Sequence, residues 1–137
     1  MQASNPPQST DSSFNGGNSH GFGGNISLSA DGNVLAVGAN GEHSAATGIN
    51  GDQSQSDDLR SSGAVYVFTQ ANGSWQQKAY VKAPAPHGSL LFGAAISLDG
   101  DGKTLAVGTP GDRSGATGIN GNPFGFTGPR NGAVFLY

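Results

Sequence analysis

The chain repeats itself. Phe22-Gly23, Ile26-Ser27-Leu28, Asp31-Gly32 and Leu35-Ala36-Val37-Gly38 return as Phe92-Gly93, Ile96-Ser97-Leu98, Asp101-Gly102 and Leu105-Ala106-Val107-Gly108, each residue 70 positions further on. Even a loop is copied, because Thr47-Gly48-Ile49-Asn50-Gly51 comes back as Thr117-Gly118-Ile119-Asn120-Gly121. Duplication at this length marks stacked supersecondary units, each unable to bury its apolar face without a neighbour.

The duplicated segments are β-type. Residues 25–29 and 34–37 flank an Asp-Gly pair that suits a tight hairpin, and Ala64-Val65-Tyr66-Val67-Phe68 reads as a third, largely buried strand. Asn72-Gly73 is a second hairpin signal, and residues 75–82 give a fourth strand with Trp75, Gln77, Ala79 and Val81 on one face. The second unit repeats the order over residues 92–97, 104–107 and 133–137, with no counterpart of the fourth strand. Apolar residues fall in runs of four or five between glycines, too short and interrupted for helices. The expected fold is therefore all-β: two antiparallel units, 22–82 and 92–137, joined by a segment at 83–91 and preceded by a flexible Ser, Asn, Gly and Pro-rich stretch at 1–21. A last strand ending in Val134-Phe135-Leu136-Tyr137 presents an apolar edge to any pairing partner.

Composition narrows the function. With 34% hydrophobic residues and 24 glycines in 137, the private core is thin. The six cations, Arg60, Lys78, Lys82, Lys103, Arg113 and Arg130, are scattered, whereas a nucleic-acid surface needs them concentrated. No run approaches the roughly 20 apolar residues that span a bilayer, so membrane insertion is not expected. Without cysteine, thiolate metal sites and disulfides are excluded. His20, His43 and His87 fall at unrelated repeat positions and read as solvated loop histidines, and neither a G-x-S-x-G elbow nor a paired catalytic carboxylate pattern accompanies them. No enzymatic activity is expected. Asp52, Asp57 and Asp58 lie near Glu42 and His43 in a long loop that could gather a ligand, but the second copy replaces the stretch with Asn122-Pro123-Phe124-Gly125-Phe126-Thr127 and favours a solvated loop. Phe124 and Phe126 are candidates for stacking on a sugar or for packing across the loops.

Phe22-Gly23 followed by Val37-Gly38-Ala39, and Phe92-Gly93 followed by Val107-Gly108-Thr109-Pro110, resemble the FG-GAP repeat, the blade unit of integrin α-subunit β-propellers. The resemblance implies two four-stranded antiparallel β-propeller blades over about residues 22–137, the second lacking its last strand. The ring would be completed by further blades of a parent chain or by homo-oligomerisation. It also implies a secreted or cell-surface adhesion or protein-interaction module, with a protein or glycan ligand on the long loops at 40–62 and 111–130. Many members hold calcium in the first hairpin. Here Ser97, Asp99, Asp101 and Leu105 fall at the ligand positions of the second unit and Ser27, Ser29, Asp31 and Leu35 at those of the first, so each set includes a leucine that cannot coordinate. Both read as Asp-Gly turns with no cofactor, and Asp99 and Asp101 are the residues that would hold an ion if one bound.

Overall fold

The structure, a computed structural model, describes residues 1–4, 20–53, 59–126 and 128–137. It is all-β, with no helix among those residues. Strands β1 (Asn25–Leu28), β2 (Val34–Ala39), β3 (Ala64–Ala71) and β4 (Ser74–Val81) form one antiparallel sheet in chain order, and β5 (Ala95–Leu98), β6 (Leu105–Thr109) and β7 (Ala133–Leu136) form a second.

Local chemistry sets the turns. In the β1–β2 hairpin Ser29 N–H donates to Val34 O at 2.9 Å and Gly32, at φ +74°, donates to Ser29 O at 3.0 Å. In the β3–β4 hairpin Asn72 and Gly73 sit at φ 50° and 77°, the two consecutive left-handed residues that a two-residue turn matching strand twist demands.

The register of β3 with β4 shifts between Val67, opposite Ala79, and Phe68, opposite Gln77, leaving Lys78 as an extra residue. A bulge of this kind reverses the side-chain alternation beyond it. The expectation that Trp75, Gln77, Ala79 and Val81 share a face is therefore corrected: Ala79 and Val81 pack on one side of the sheet, with Val65, while Trp75 packs on the other, with Tyr66, Phe68 and Tyr80.

The two sheets stack. Ala36, Val65 and Val81 of the first meet Leu105 and Val107 of the second in a single buried cluster that Ala83, Leu90 and Phe92 of the connecting chain complete, with Ile96, Leu98 and Phe135 packed against it. Polar ties reinforce the contact: Leu98 N–H donates to Ser27 Oγ at 2.9 Å and Ala30 N–H to Gly100 O at 3.0 Å. The opposite side of the first sheet carries a second cluster, Val37, Tyr66, Phe68 and Tyr80, against which Ala3 and Phe22 pack.

Phe92-Gly93 is a turn ahead of β5, not the start of a strand as the sequence predicts. Phe92 N–H donates to Ser62 O at 3.0 Å, and Gly93 at φ +86° reverses the chain so that the fully buried phenyl ring lies between the sheets, 6.0 Å from both Phe135 and Tyr137. Phe22 makes the equivalent contacts with Tyr66 at 5.3 Å and Phe68 at 6.2 Å. The Phe-Gly turn seats against glycine backbone. A Cβ at Gly63, φ +83°, would lie 2.1 Å from Phe92 O and 2.5 Å from its nitrogen. Gly32 shares the left-handed φ but faces open space.

Gly32→Ala should accordingly cost about 1 kcal/mol, the left-handed penalty alone. Gly63→Ala should cost well beyond that, because the methyl group must push apart the backbone that joins the sheets. Urea denaturation of the two variants checks the difference, and equal losses would contradict the close-approach argument.

Candidate functional site

The hairpin carboxylates are engaged by their own turns. Asp31 Oδ1 accepts from Ser29 Oγ at 2.6 Å and from Asn33 N–H at 3.0 Å, and these hydrogen bonds hold its carboxyl below the usual range. In the second hairpin Asp99 Oδ1 accepts from Thr104 N–H at 2.9 Å and Lys103 N–H at 2.8 Å, which lowers its pKa, the Thr104 bond being the leading cause. Lys103 Nζ forms an exposed ion pair with Asp101 Oδ2 at 2.9 Å, and the hydrogen bond to Asp101 raises the Lys103 pKa. Among the described residues no group of three or more His, Asp and Glu side chains converges on one point.

Among the described residues the loop candidates do not gather. Asp52 is exposed, and Asp57 and Asp58 lie outside the described residues. Phe124 is 63% exposed, whereas Phe126 meets the His87 ring edge-on at 5.4 Å. The solvated reading of the histidines is corrected for His20, which is buried with its ring 5.6 Å from that of His43. Neither histidine is duplicated 70 residues on, where Leu90 and Arg113 stand, so the repeat gives no sign of the pair.

The assignment of Glu42 to a solvated acidic loop is also corrected. Glu42 is fully buried and holds Lys82, itself without exposed surface, at 2.6 Å from Nζ to Oε2. Lys82 Nζ also donates to Ser62 Oγ at 2.6 Å, and Ser62 Oγ lies within hydrogen-bond reach of the carbonyls of Glu42 at 3.2 Å and Ser44 at 3.1 Å. Ser44 N–H donates to Glu42 Oε1 at 3.0 Å, while the Ser44 and Tyr80 hydroxyls share a bond of 2.6 Å. Burial pushes the Glu42 carboxyl up, but the Lys82 charge and hydrogen bond outweigh it and leave the pKa lowered. Burial pushes Lys82 down against the pull of Glu42, and it raises Tyr80.

The same loop grips the strand by its backbone. Asn50 Oδ1 accepts from Tyr80 N–H at 2.9 Å, Asn50 N–H donates to Tyr80 O at 2.7 Å, and Lys82 N–H donates to Gly48 O at 2.8 Å. Thr47–Gly51 is thus a clamp on the end of β4, with Ile49 bridging to Val81. A serine within reach of a lysine can act as a nucleophile pair, but Ser62, Lys82 and Glu42 offer a substrate no surface to approach. Their chemistry is that of a tie between loop and strand. One signal in the sequence pointed to it: the acidic position and the serine two residues on recur as Asp112 and Ser114.

Compared with known proteins, the chain matches no protein-family model, no curated sequence and no solved structure.

Lys82→Met should destabilise the fold by about 3–5 kcal/mol at neutral pH, since it strands a buried carboxylate, and Glu42→Gln in that background should recover much of the loss. The pH dependence should change sign. Glu42 in the wild type has a folded pKa below its ordinary 4.5, so it contributes stability above that value and loses it as pH falls through the lower, folded one. In Lys82→Met the stranded carboxyl titrates above 4.5, so acid should narrow the gap between the proteins; chemical denaturation across pH measures it.

Proposed function

We propose that the chain is a pair of FG-GAP-like β-propeller blades that serves as a non-catalytic structural and protein-interaction or adhesion module of a secreted or surface protein, and that its immediate partners are further blades. One observation carries this reading. The side of the second sheet that packs on the first presents Ile96, Leu98, Leu105 and Val107, and the first unit carries the same residues as Ile26, Leu28, Leu35 and Val37 on its outward side. There Ile26 and Leu28 are 67% and 55% exposed. At the opposite end Val134 and Leu136, counterparts of the Val65 and Val67 that receive the second sheet, are also exposed. Each end of the pair therefore exposes part of the contact that joins its own two sheets, Ile26 and Leu28 at one end and Val134 and Leu136 at the other. Heterologous surfaces of this kind build rings when the rotation closes.

The reading predicts head-to-tail association of the isolated chain. Ile26→Asp with Leu28→Asp should weaken it by roughly two orders of magnitude, from the loss of two apolar anchors, and leave circular dichroism unchanged. Sedimentation over a concentration series measures this, and a wild-type chain that stays monomeric throughout would contradict it. The exposure of Phe124 favours a second reading, carbohydrate binding by the loops. Glycan-array binding that disappears in Phe124→Ala would replace the first reading with the second.

A further inference from the structure

The clamp that holds the end of β4 has a duplicate that none of the described residues fills. Thr117–Gly121 repeats Thr47–Gly51 residue for residue and adopts the same backbone, with Gly118 and Asn120 at φ 71° and 59° against 65° and 54° for Gly48 and Asn50. Below it Asp112 stands where Glu42 stands, and Ser114 where Ser44 does. Asp112 Oδ1 accepts from Ser114 N–H at 3.1 Å, as Glu42 Oε1 does from Ser44 N–H, and from Ser114 Oγ at 2.7 Å. Yet this buried carboxylate meets no lysine or arginine among the described residues, and none of them pairs with the outer edge of β7, the last strand of its sheet. Between that edge and the loop runs a groove of about 660 Å³ lined by Asp112, Ser114, Ile119, Asn120, Val134 and Leu136. Ile119, counterpart of the Ile49 that bridges to Val81, is almost fully exposed.

We propose that this groove binds an extended peptide segment carrying a Tyr-x-Lys triplet, which adds to β7 as an antiparallel strand in the way β4 adds to β3. The proposal deepens the blade-pair reading and rests on it for the kind of module involved. The chemistry of the occupant follows from the filled clamp. A lysine ammonium meets the Asp112 carboxylate and cancels its buried charge, and a tyrosine hydroxyl meets Ser114. The tyrosine backbone exchanges hydrogen bonds with Asn120, and the lysine N–H reaches the Gly118 carbonyl. Main-chain pairing along β7 gives affinity and the two side chains give selectivity, the division usual for strand addition.

A peptide with the sequence of residues 74–83, labelled at its N-terminus, tests this by fluorescence anisotropy with the intact chain. Saturable binding is expected, accompanied by slowed hydrogen exchange at the amides of Ala133–Leu136. Lys82→Ala in the peptide and Asp112→Asn in the protein should each weaken binding at least tenfold, and together no more than either alone. The peptide substitution leaves the protein untouched, so a folding defect in Asp112→Asn does not decide the result. Absence of binding, binding indifferent to both substitutions, or protection appearing at Ser74–Val81 instead of β7 would overturn the proposal. The blade-pair reading would survive such a failure if association still depended on Ile26 and Leu28, which lie on the far sheet.

Discussion

Two thin sheets rich in alanine, valine and glycine have too little apolar volume to stand alone, and their contact is the constraint on which everything else depends. The cluster built from Ala36, Val65 and Val81 on one side and Phe92, Leu105 and Val107 on the other is where side chains reach full burial from both sheets. Such an approach needs small residues at the junction. Gly38, Gly63 and Gly93 supply them, each so close to backbone of the other unit that a methyl group would collide with a carbonyl oxygen. The abundance of glycine, which looks like a weakness in composition, is what lets the Phe-Gly turn wedge its ring between the sheets.

The long loop of the first unit is bound into this arrangement by charge instead of apolar contact. A buried lysine and glutamate are a poor source of net stability, since removing both ions from water costs nearly what their attraction returns. What the pair supplies is position: it tolerates one geometry of loop against strand, and the Asn50 and Gly48 hydrogen bonds repeat that geometry in the backbone. Tyr137 ties the second sheet to the same place, its hydroxyl donating to the Lys82 carbonyl at 2.9 Å while burial pushes its own ionisation up to about 12. The two units thus share one anchor point at the end of β4.

Strands and turns were legible in the sequence because their causes are local. Asp-Gly and Asn-Gly pairs carry the left-handed conformations of the hairpins, and alternation around them fixes which residues face the core. The places where reading failed are those where the cause lies elsewhere in the chain. A single extra residue at Lys78 turned Trp75 to the other face, which no local pattern announces. Phe92 looks like the first residue of a strand until the glycine after it meets Ala64, and Glu42 looks solvated until Lys82, 40 residues away, arrives beside it. Asp57 and Asp58 lie outside the described residues, while Asp99 and Asp101 accept hydrogen bonds from Lys103 of their own turn. Nothing in their residue type distinguishes a turn carboxylate from a ligand.

Interdependence of the two sheets is open to direct measurement by native-state hydrogen exchange. Leu105→Ala removes buried volume from the second sheet alone. If the sheets form one cooperative unit, the amides of β2 and β3 lose the same opening free energy as those of β6, a matter of about 2–5 kcal/mol for a buried leucine. Loss confined to β5, β6 and β7, with β2 and β3 exchanging as before, would mean that each sheet is stable by itself and that the contact between them is not what holds the chain together.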